Sequence, residues 1–318
     1  MSGTLYTDDC LEMMQNFLDT QSIDLIYADP PFFTNRDHAG AAGAYSDKWA
    51  DVEDYLDWLR PRLREMRRVL KPTGSIYVHC DWHASHYIKV EMDELFGYDN
   101  YRNEIVWKSS YGGKNQVKRM WGRGHDTIHF YAMPKAQFKP LRLPPSEESI
   151  KWYRYSDKDG ELYRDADLEA PGGGKGGYKY QFLGATRRWR YPEHRMQELL
   201  DAGLILHETT TPGSKRKIAK LKWYLRDAKG GLATSLWLDI NPLKGPRERV
   251  GYPTQKPLAL LERIIRASSN PGDIVLDPFC GSGTTCVAAE QLGRKYIGID
   301  QSPEAVQVAR ARLEQTLL

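Results

Sequence analysis

A chain of 318 residues, 41% of them hydrophobic and 27% charged, is long enough for one large α/β domain with a smaller lobe and too short for two full catalytic domains. No apolar run is long enough to cross a bilayer, and Met1-Ser2-Gly3-Thr4 opens without the basic and apolar segments of a secretory signal, so a cytoplasmic location with no membrane partner is the expectation. The net charge of +3 hides an asymmetry: Lys108 to Arg249 holds 28 basic against 16 acidic residues, leaving 17 against 26 on the flanks, a pattern that suits a polyanion-binding middle and equally a solvated basic surface.

Along the chain, Ile23 to Ala28 is a short apolar strand that ends where Pro30 and Pro31 break regular structure. Asp51 to Leu70 carries Tyr55, Leu59, Leu63, Met66 and Leu70 at helical spacing, with Pro61 expected to kink or divide the helix. Lys71-Pro72-Thr73-Gly74 predicts a turn into a second strand, Ser75 to Cys80. From about Ser109 to Pro253 the period is lost: aromatic, basic and glycine residues mix, with a glycine-rich loop at 171–177 and a short helical period from Met196 to Ile205. Regular alternation then returns. Pro257 leads a helix through Leu258, Leu261, Ile264 and Ile265, a strand follows at Ile274 to Leu276, Gly281-Ser282-Gly283 opens a helix, Lys295 to Ile299 is a strand, and Ser302-Pro303-Glu304 starts the closing helix. Both flanks therefore read as halves of one doubly wound, mostly parallel Rossmann-like α/β sheet with helices on both faces.

Two segments carry chemistry. Asp277-Pro278-Phe279-Cys280-Gly281-Ser282-Gly283-Thr284-Thr285 joins a strand to a helix, the context in which glycines let backbone approach a nucleotide-like ligand; Asp300 ends the next strand, where a carboxylate can accept ribose hydroxyls. A dinucleotide-binding dehydrogenase is the rival reading, but its fingerprint needs Gly or Ala where Cys286 stands. The second segment is Asp29-Pro30-Pro31-Phe32 at the end of a strand. An aromatic amino nitrogen is a poor nucleophile because its lone pair is delocalised into the ring. A carboxylate and an adjacent backbone carbonyl that accept both amino hydrogens localise that pair, roles open to Asp29 and the Pro30 carbonyl, while Phe32 can stack on a flipped base. Taken alone, the tetrapeptide is equally a helix-capping Asp followed by a rigid loop.

Together, Asp29-Pro30-Pro31-Phe32, then Tyr252-Pro253-Thr254-Gln255-Lys256-Pro257, then the loop from Asp277 to Thr285 resemble the β-class bacterial and phage DNA amino-methyltransferases, across roughly Thr4–Lys135 and Gly251–Leu313. The resemblance implies an S-adenosyl-L-methionine-dependent enzyme of a bacterial or phage-infected cell that methylates a base amino group, adenine N6 ahead of cytosine N4, since Asp heads the motif. It implies that Asp29, Asp277, Phe279, Cys280, Gly281, Ser282, Gly283, Thr284 and Thr285 surround the cofactor and that Asp300 holds its ribose. Thr254, Gln255 and Lys256 would meet its carboxylate, and Asp9 its adenine, although Asp8 stands where the family has Gly. Double-stranded DNA is the implied partner; a cognate restriction endonuclease and a homodimer stay open. Cys280, Cys286, Cys10 and Cys80 are read as packing thiols, and His79, His83 and His86 as structural, with no metal site.

The expected organisation is a catalytic half at 1–108, an inserted target-recognition lobe at 109–250 whose segment near 126–132 can return to the core sheet, and a cofactor half at 251–318. Candidate phosphate contacts are Lys114, Lys118, Arg119 and Arg123, the cluster Arg187, Arg188 and Arg190, and Lys215, Arg216 and Lys217. Trp152, Trp189, Trp223 and Trp237 are expected mostly in the lobe's core. An RNA or protein amide methyltransferase and a catalytically inactive DNA-binding module are the remaining alternatives.

Overall fold

A computed structural model of the chain describes residues 2–40, 43–110, 120–171, 176–210, 217–243 and 248–316. These form two compact units, one from residues 1–141 with 233–318 and a second from 142–232. The second unit is narrower than the expected lobe. The strand Asp126–Ala132 pairs with Leu70–Cys80 and Tyr101–Trp107, and Leu236–Trp237 pairs with Tyr101–Trp107, so the stretches that flank 142–232 are held by main-chain hydrogen bonds to the first unit's sheet.

That sheet has eight strands in the order Thr4–Thr7, Lys295–Asp300, Ile274–Asp277, Ile23–Ala28, Leu70–Cys80, Asp126–Ala132, Tyr101–Trp107 and Leu236–Trp237. All pairs are parallel except the two that Asp126–Ala132 makes. The helices Cys10–Phe17, Val52–Val69 and Ser85–Phe96 bury their apolar sides in one hydrophobic cluster, and Leu258–Ser268 and Thr284–Gln291 bury theirs in another with Leu313 of the helix Pro303–Thr316. This is the doubly wound α/β architecture the two flanks predict. None of the helices among the described residues is long and apolar enough to cross a membrane.

Two local expectations are corrected. Val52–Val69 is one unbroken helix despite Pro61. Its ends are well set, with Asp51 accepting from the Asp54 N–H at 2.9 Å and Arg67 and Arg68 in the last turn. Burying Tyr55, Leu56, Leu59, Leu63, Met66 and Val69 outweighs the one backbone hydrogen bond that proline removes. The predicted turn at Lys71–Gly74 lies within the strand Leu70–Cys80 as a wide bulge: Leu70 pairs with Ile23 and Ser75 with Leu25, so four residues oppose Asp24 alone. Lys71 Nζ anchors the bulge on the Asp24 carboxylate at 2.8 Å.

The second unit contains a four-stranded antiparallel sheet, a hairpin Tyr178–Phe182/Ala185–Trp189 and the helix Glu193–Asp201 over a core of Leu168, Phe182, Trp189, Met196, Leu199 and Ile205. Of the four tryptophans expected in its core only Trp189 is there. Trp152 and Trp223 are 64% and 40% exposed, and Trp237 is buried in the first unit, packed in the cluster that holds Trp107.

Candidate active site

The neighbouring strands Ile274–Asp277 and Ile23–Ala28 run parallel in register Val275 to Leu25, so their carboxyl ends emerge side by side. From this pair the sheet continues in opposite directions, to Lys295–Asp300 on one side and Leu70–Cys80 on the other. Such a switch point opens a crevice at the strand ends because the following connections leave toward opposite faces. Asp29 and Asp277 both stand there, on the wall of a cavity of about 590 Å³. Asp9, Pro30, Pro31, Phe32, Thr254, Gln255, Lys256, Phe279, Cys280, Gly281, Ser282, Thr284, Thr285 and Asp300 share the wall, which brings the three distant motifs together. Gly283 does not: it caps the helix Thr284–Gln291 at φ +73°, and a Cβ there would lie 2.5 Å from that of Ala309, so helix packing excludes a side chain at this position.

The second oxygen of Asp29, Oδ2, receives Lys256 Nζ at 2.5 Å, while Oδ1 is buried with no hydrogen-bond partner. The Tyr55 hydroxyl donates to the Pro31 carbonyl at 2.8 Å. Phe32 is oriented by Asp47, which the sequence reading missed. This fully buried carboxylate accepts the backbone N–H groups of Phe32 (3.3 Å), Phe33 (2.8 Å) and Thr34 (2.9 Å) and the Thr34 hydroxyl (2.6 Å). It arrives from the hairpin Arg36–Gly40/Gly43–Asp47, whose partner could not be read from its own sequence. Phe33 at φ +63° and Thr254 at φ +60° carry backbone strain on two sides of the cavity, which the Asp47 bonds help to offset at the first.

On the glycine-loop side, Asp300 accepts the N–H of Gly281 at 2.8 Å and of Ser302 at 2.9 Å, so it braces the loop as well as facing the cavity; burial raises its carboxyl above the ordinary range despite those bonds. Asp277 is more perturbed: burial pushes its carboxyl up to about 7, opposed by the Thr285 hydroxyl at 2.5 Å and the Phe279 N–H at 3.0 Å. Thr285 and Thr284 thus spend their hydroxyls inside the protein, the latter accepting Arg312 Nη1 at 3.0 Å. Gln255 does likewise, accepting the Val250 N–H at 3.0 Å and donating to the Glu248 carbonyl at 2.7 Å. Asp9 takes Arg62 Nη2 at 2.6 Å and the Leu11 N–H at 2.7 Å. Gln301, Glu304, Tyr45 and Tyr252 also line the cavity and were absent from the sequence-derived set.

A second cavity of about 500 Å³ shares Phe32 and Tyr252 with the first and is also walled by Trp107, Ser109, Asp126 and Arg249. Of the expected phosphate contacts, Arg188 and Arg190 are exposed, Arg190 also donating to the Glu169 carbonyl at 3.1 Å. Arg187 is paired with Glu169, and Arg123 lies 3.3 Å over the Trp82 ring. Lys114, Lys118, Arg119, Lys215, Arg216 and the side chain of Lys217 lie outside the described residues.

Comparison with known proteins agrees with this architecture. The N6_N4 family model, described as DNA methylase, matches residues 23–311. Over 317 residues the chain is 32% identical to the Type II methyltransferase M.EcaI of Enterobacter cloacae, across 97% of this chain and 68% of that protein. It is 28% identical over 317 residues to the DNA adenine methyltransferase YhdJ of Escherichia coli K12, across 98% and 82%. Among solved structures, the cytosine-N4-specific PvuII DNA methyltransferase shares the fold with a TM-score of 0.53 over 100% of this chain and 90% of its own, at 18% identity.

Proposed function

The chain belongs to the N6/N4 DNA methylase family, and from that premise we propose that it methylates the N6 amino nitrogen of adenine at a specific sequence in double-stranded DNA. DNA methylation with S-adenosyl-L-methionine as donor is the family's activity. When bound, the cofactor supplies an electrophilic methyl group on a sulfonium. The residues fit it: the cavity has the volume of a small-molecule site, carboxylates of Asp9, Asp300 and Glu304 can accept hydroxyl and amine hydrogens, and Lys256 offers a cation to a carboxylate.

The observation that carries the reading is the buried, unpartnered oxygen of Asp29 at the switch point. Pro30, the next residue, lines the same cavity. A buried acceptor left unmatched is costly unless a ligand completes it. With the Pro30 carbonyl as the proposed second acceptor, Asp29 would match the two hydrogens of an exocyclic amine, and drawing on both localises the nitrogen lone pair for attack. Phe32, held by Asp47, offers an aromatic face to the base ring. Adenine is preferred over cytosine because an Asp heads the motif, and a relative 28% identical is named a DNA adenine methyltransferase. The basic unit 142–232, with Arg188 and Arg190 exposed, is the proposed DNA-reading part.

The test is to express the chain in a host lacking DNA methylation and map modified bases by single-molecule sequencing, with Asp29→Ala alongside. N6-methyladenine at one sequence with the wild type and none with the variant is the expected result. Modified cytosine would overturn the base assignment, and modification by Asp29→Ala would overturn the site.

A further inference from the structure

Beside Asp29 lies a chain of buried polar groups that the proposed function leaves unused. Tyr27, His79 and Asp126 come from three adjacent strands of the central sheet. Tyr27 Oη lies 2.7 Å from His79 Nδ1, His79 Nε2 lies 3.1 Å from Asp126 Oδ2, and the Ser109 hydroxyl donates to Asp126 Oδ1 at 2.6 Å. His79 is fully buried, its ring 5.5 Å from that of Phe32 and edge-on to Trp107 at 5.6 Å.

The partners set the direction of these bonds. Burial raises the Asp126 carboxyl, but its hydrogen bond with His79, the His79 and Lys256 charges and the Ser109 bond outweigh that and hold it below the ordinary range, so it is an acceptor and Nε2 carries the proton. Burial holds the Tyr27 phenol well above its usual range, so Tyr27 keeps its proton and donates it to Nδ1. His79 Nδ1 thus accepts from Tyr27 and also lies 3.8 Å from Asp29 Oδ1, the oxygen that lacks a partner. The charged and titratable groups around the ring are Tyr27 and Asp29 from one strand end, Asp126 from another, and Lys256 from the loop beside them.

Methylating an amino group releases one proton, and Asp29 Oδ1 is sealed from water. We propose that His79, backed by Asp126, takes this proton through Asp29, as a positioning and proton-accepting residue for the reaction proposed above, on which this inference rests. As the nitrogen–carbon bond forms, one N–H bond breaks and its proton passes to Asp29. Asp29 closes on Nδ1 to hydrogen-bond distance, about 2.8 Å, as the Tyr27 hydroxyl lets go. The O–H bond breaks, an Nδ1–H bond forms, and the imidazolium is held by the Asp126 carboxylate until the proton returns to solvent. The arrangement works as a carboxylate-supported histidine base does elsewhere, except that the base serves another carboxylate.

The test uses the full chain, S-adenosyl-L-methionine and unmethylated genomic DNA, and reads single-turnover methyl transfer together with cofactor and DNA dissociation constants. His79→Ala is expected to lose roughly 100-fold in rate, with both dissociation constants within about twofold of wild type. Added imidazole should restore about tenfold or more, whereas pyrrole, of the same size but without a basic nitrogen, should not. Asp126→Asn, which keeps the ring, should slow transfer roughly tenfold or more and enlarge the solvent deuterium isotope effect; it carries the test if His79→Ala fails to fold. Wild-type rates in Asp126→Asn, losses explained by weaker binding, or equal rescue by pyrrole would each overturn the role of His79 and leave the proposed function standing. A wild-type chain that transfers no methyl group to DNA would overturn both.

Discussion

Lys256 Nζ sits 2.5 Å from Asp29 Oδ2, joining the first and second of the three motifs across 227 positions of chain. The side chains are only 10% and 18% exposed, so neither charge is well solvated and each depends on the other. The same ammonium lies 5.0 Å from the centre of the Phe32 ring. One cation thus steadies Asp29 and Phe32 and, in the proposed function, would also meet the cofactor's carboxylate.

Replacing Lys256 by Met should therefore show in two measurements. Without ligand, Asp29 is left buried with neither oxygen paired, and the melting temperature should fall by an amount worth about 3 kcal/mol. Adding Asp29→Asn should recover part of that loss. Cofactor affinity by calorimetry should weaken about tenfold or more, as expected on losing a charge-assisted hydrogen bond.

Asp47 holds three consecutive backbone N–H groups behind the Asp29 motif. Asp47→Ala leaves these donors unmet and releases the strained Phe33, so a loss of about 3 kcal/mol in urea unfolding is expected. Methyl transfer should fall more than cofactor affinity, because the residue orients Phe32 and touches no part of the glycine loop. An equal fall in both would argue for general unfolding of the site.

Asp277 supplies a pH signature. Its folded-state pKa of about 7 stands above the ordinary 3.8, so between those values the folded chain binds more protons than the unfolded one, and stability falls as pH rises through the window. The penalty is fully present above about pH 7 and absent below about pH 4. Relative to wild type, Asp277→Asn should gain about 2–4 kcal/mol in unfolding free energy on moving from pH 4.5 to 7.5. A constant difference between the two proteins across that range would contradict the buried-acid assignment.

In the basic unit, Arg188 is exposed and Arg187 is paired with Glu169. If this unit meets phosphates, Arg188→Ala should weaken binding to all duplexes alike and lower the slope of log affinity against log salt by about 1. Loss at one sequence only would assign Arg188 to base reading instead.

Much of the cofactor side was legible in the sequence because it is local. A strand, a glycine bend and a helix follow one another from Ile274 to Gln291, and each is written in residues a few positions apart. The Asp29 motif was equally readable as a strand end, and the order of the motifs pointed to the family. The helix-packing role of Gly283 was not legible, because a capping glycine and a ligand-facing glycine look the same until Ala309 is seen against it. Pro61 misled because proline's local penalty was weighed without the long apolar stripe that tertiary burial rewards.

What the sequence by itself determined, then, is the alternation of elements and the chemistry available at their ends, since both depend on backbone preferences and short-range periodicity. Only the tertiary structure decided which groups stand behind that chemistry. Asp47 beneath Phe32, Lys256 on Asp29, and Tyr27, His79 and Asp126 across three strands are partnerships between segments remote in the chain. No local pattern encodes them, because a buried polar group is specified by whatever the folded sheet brings within hydrogen-bond reach.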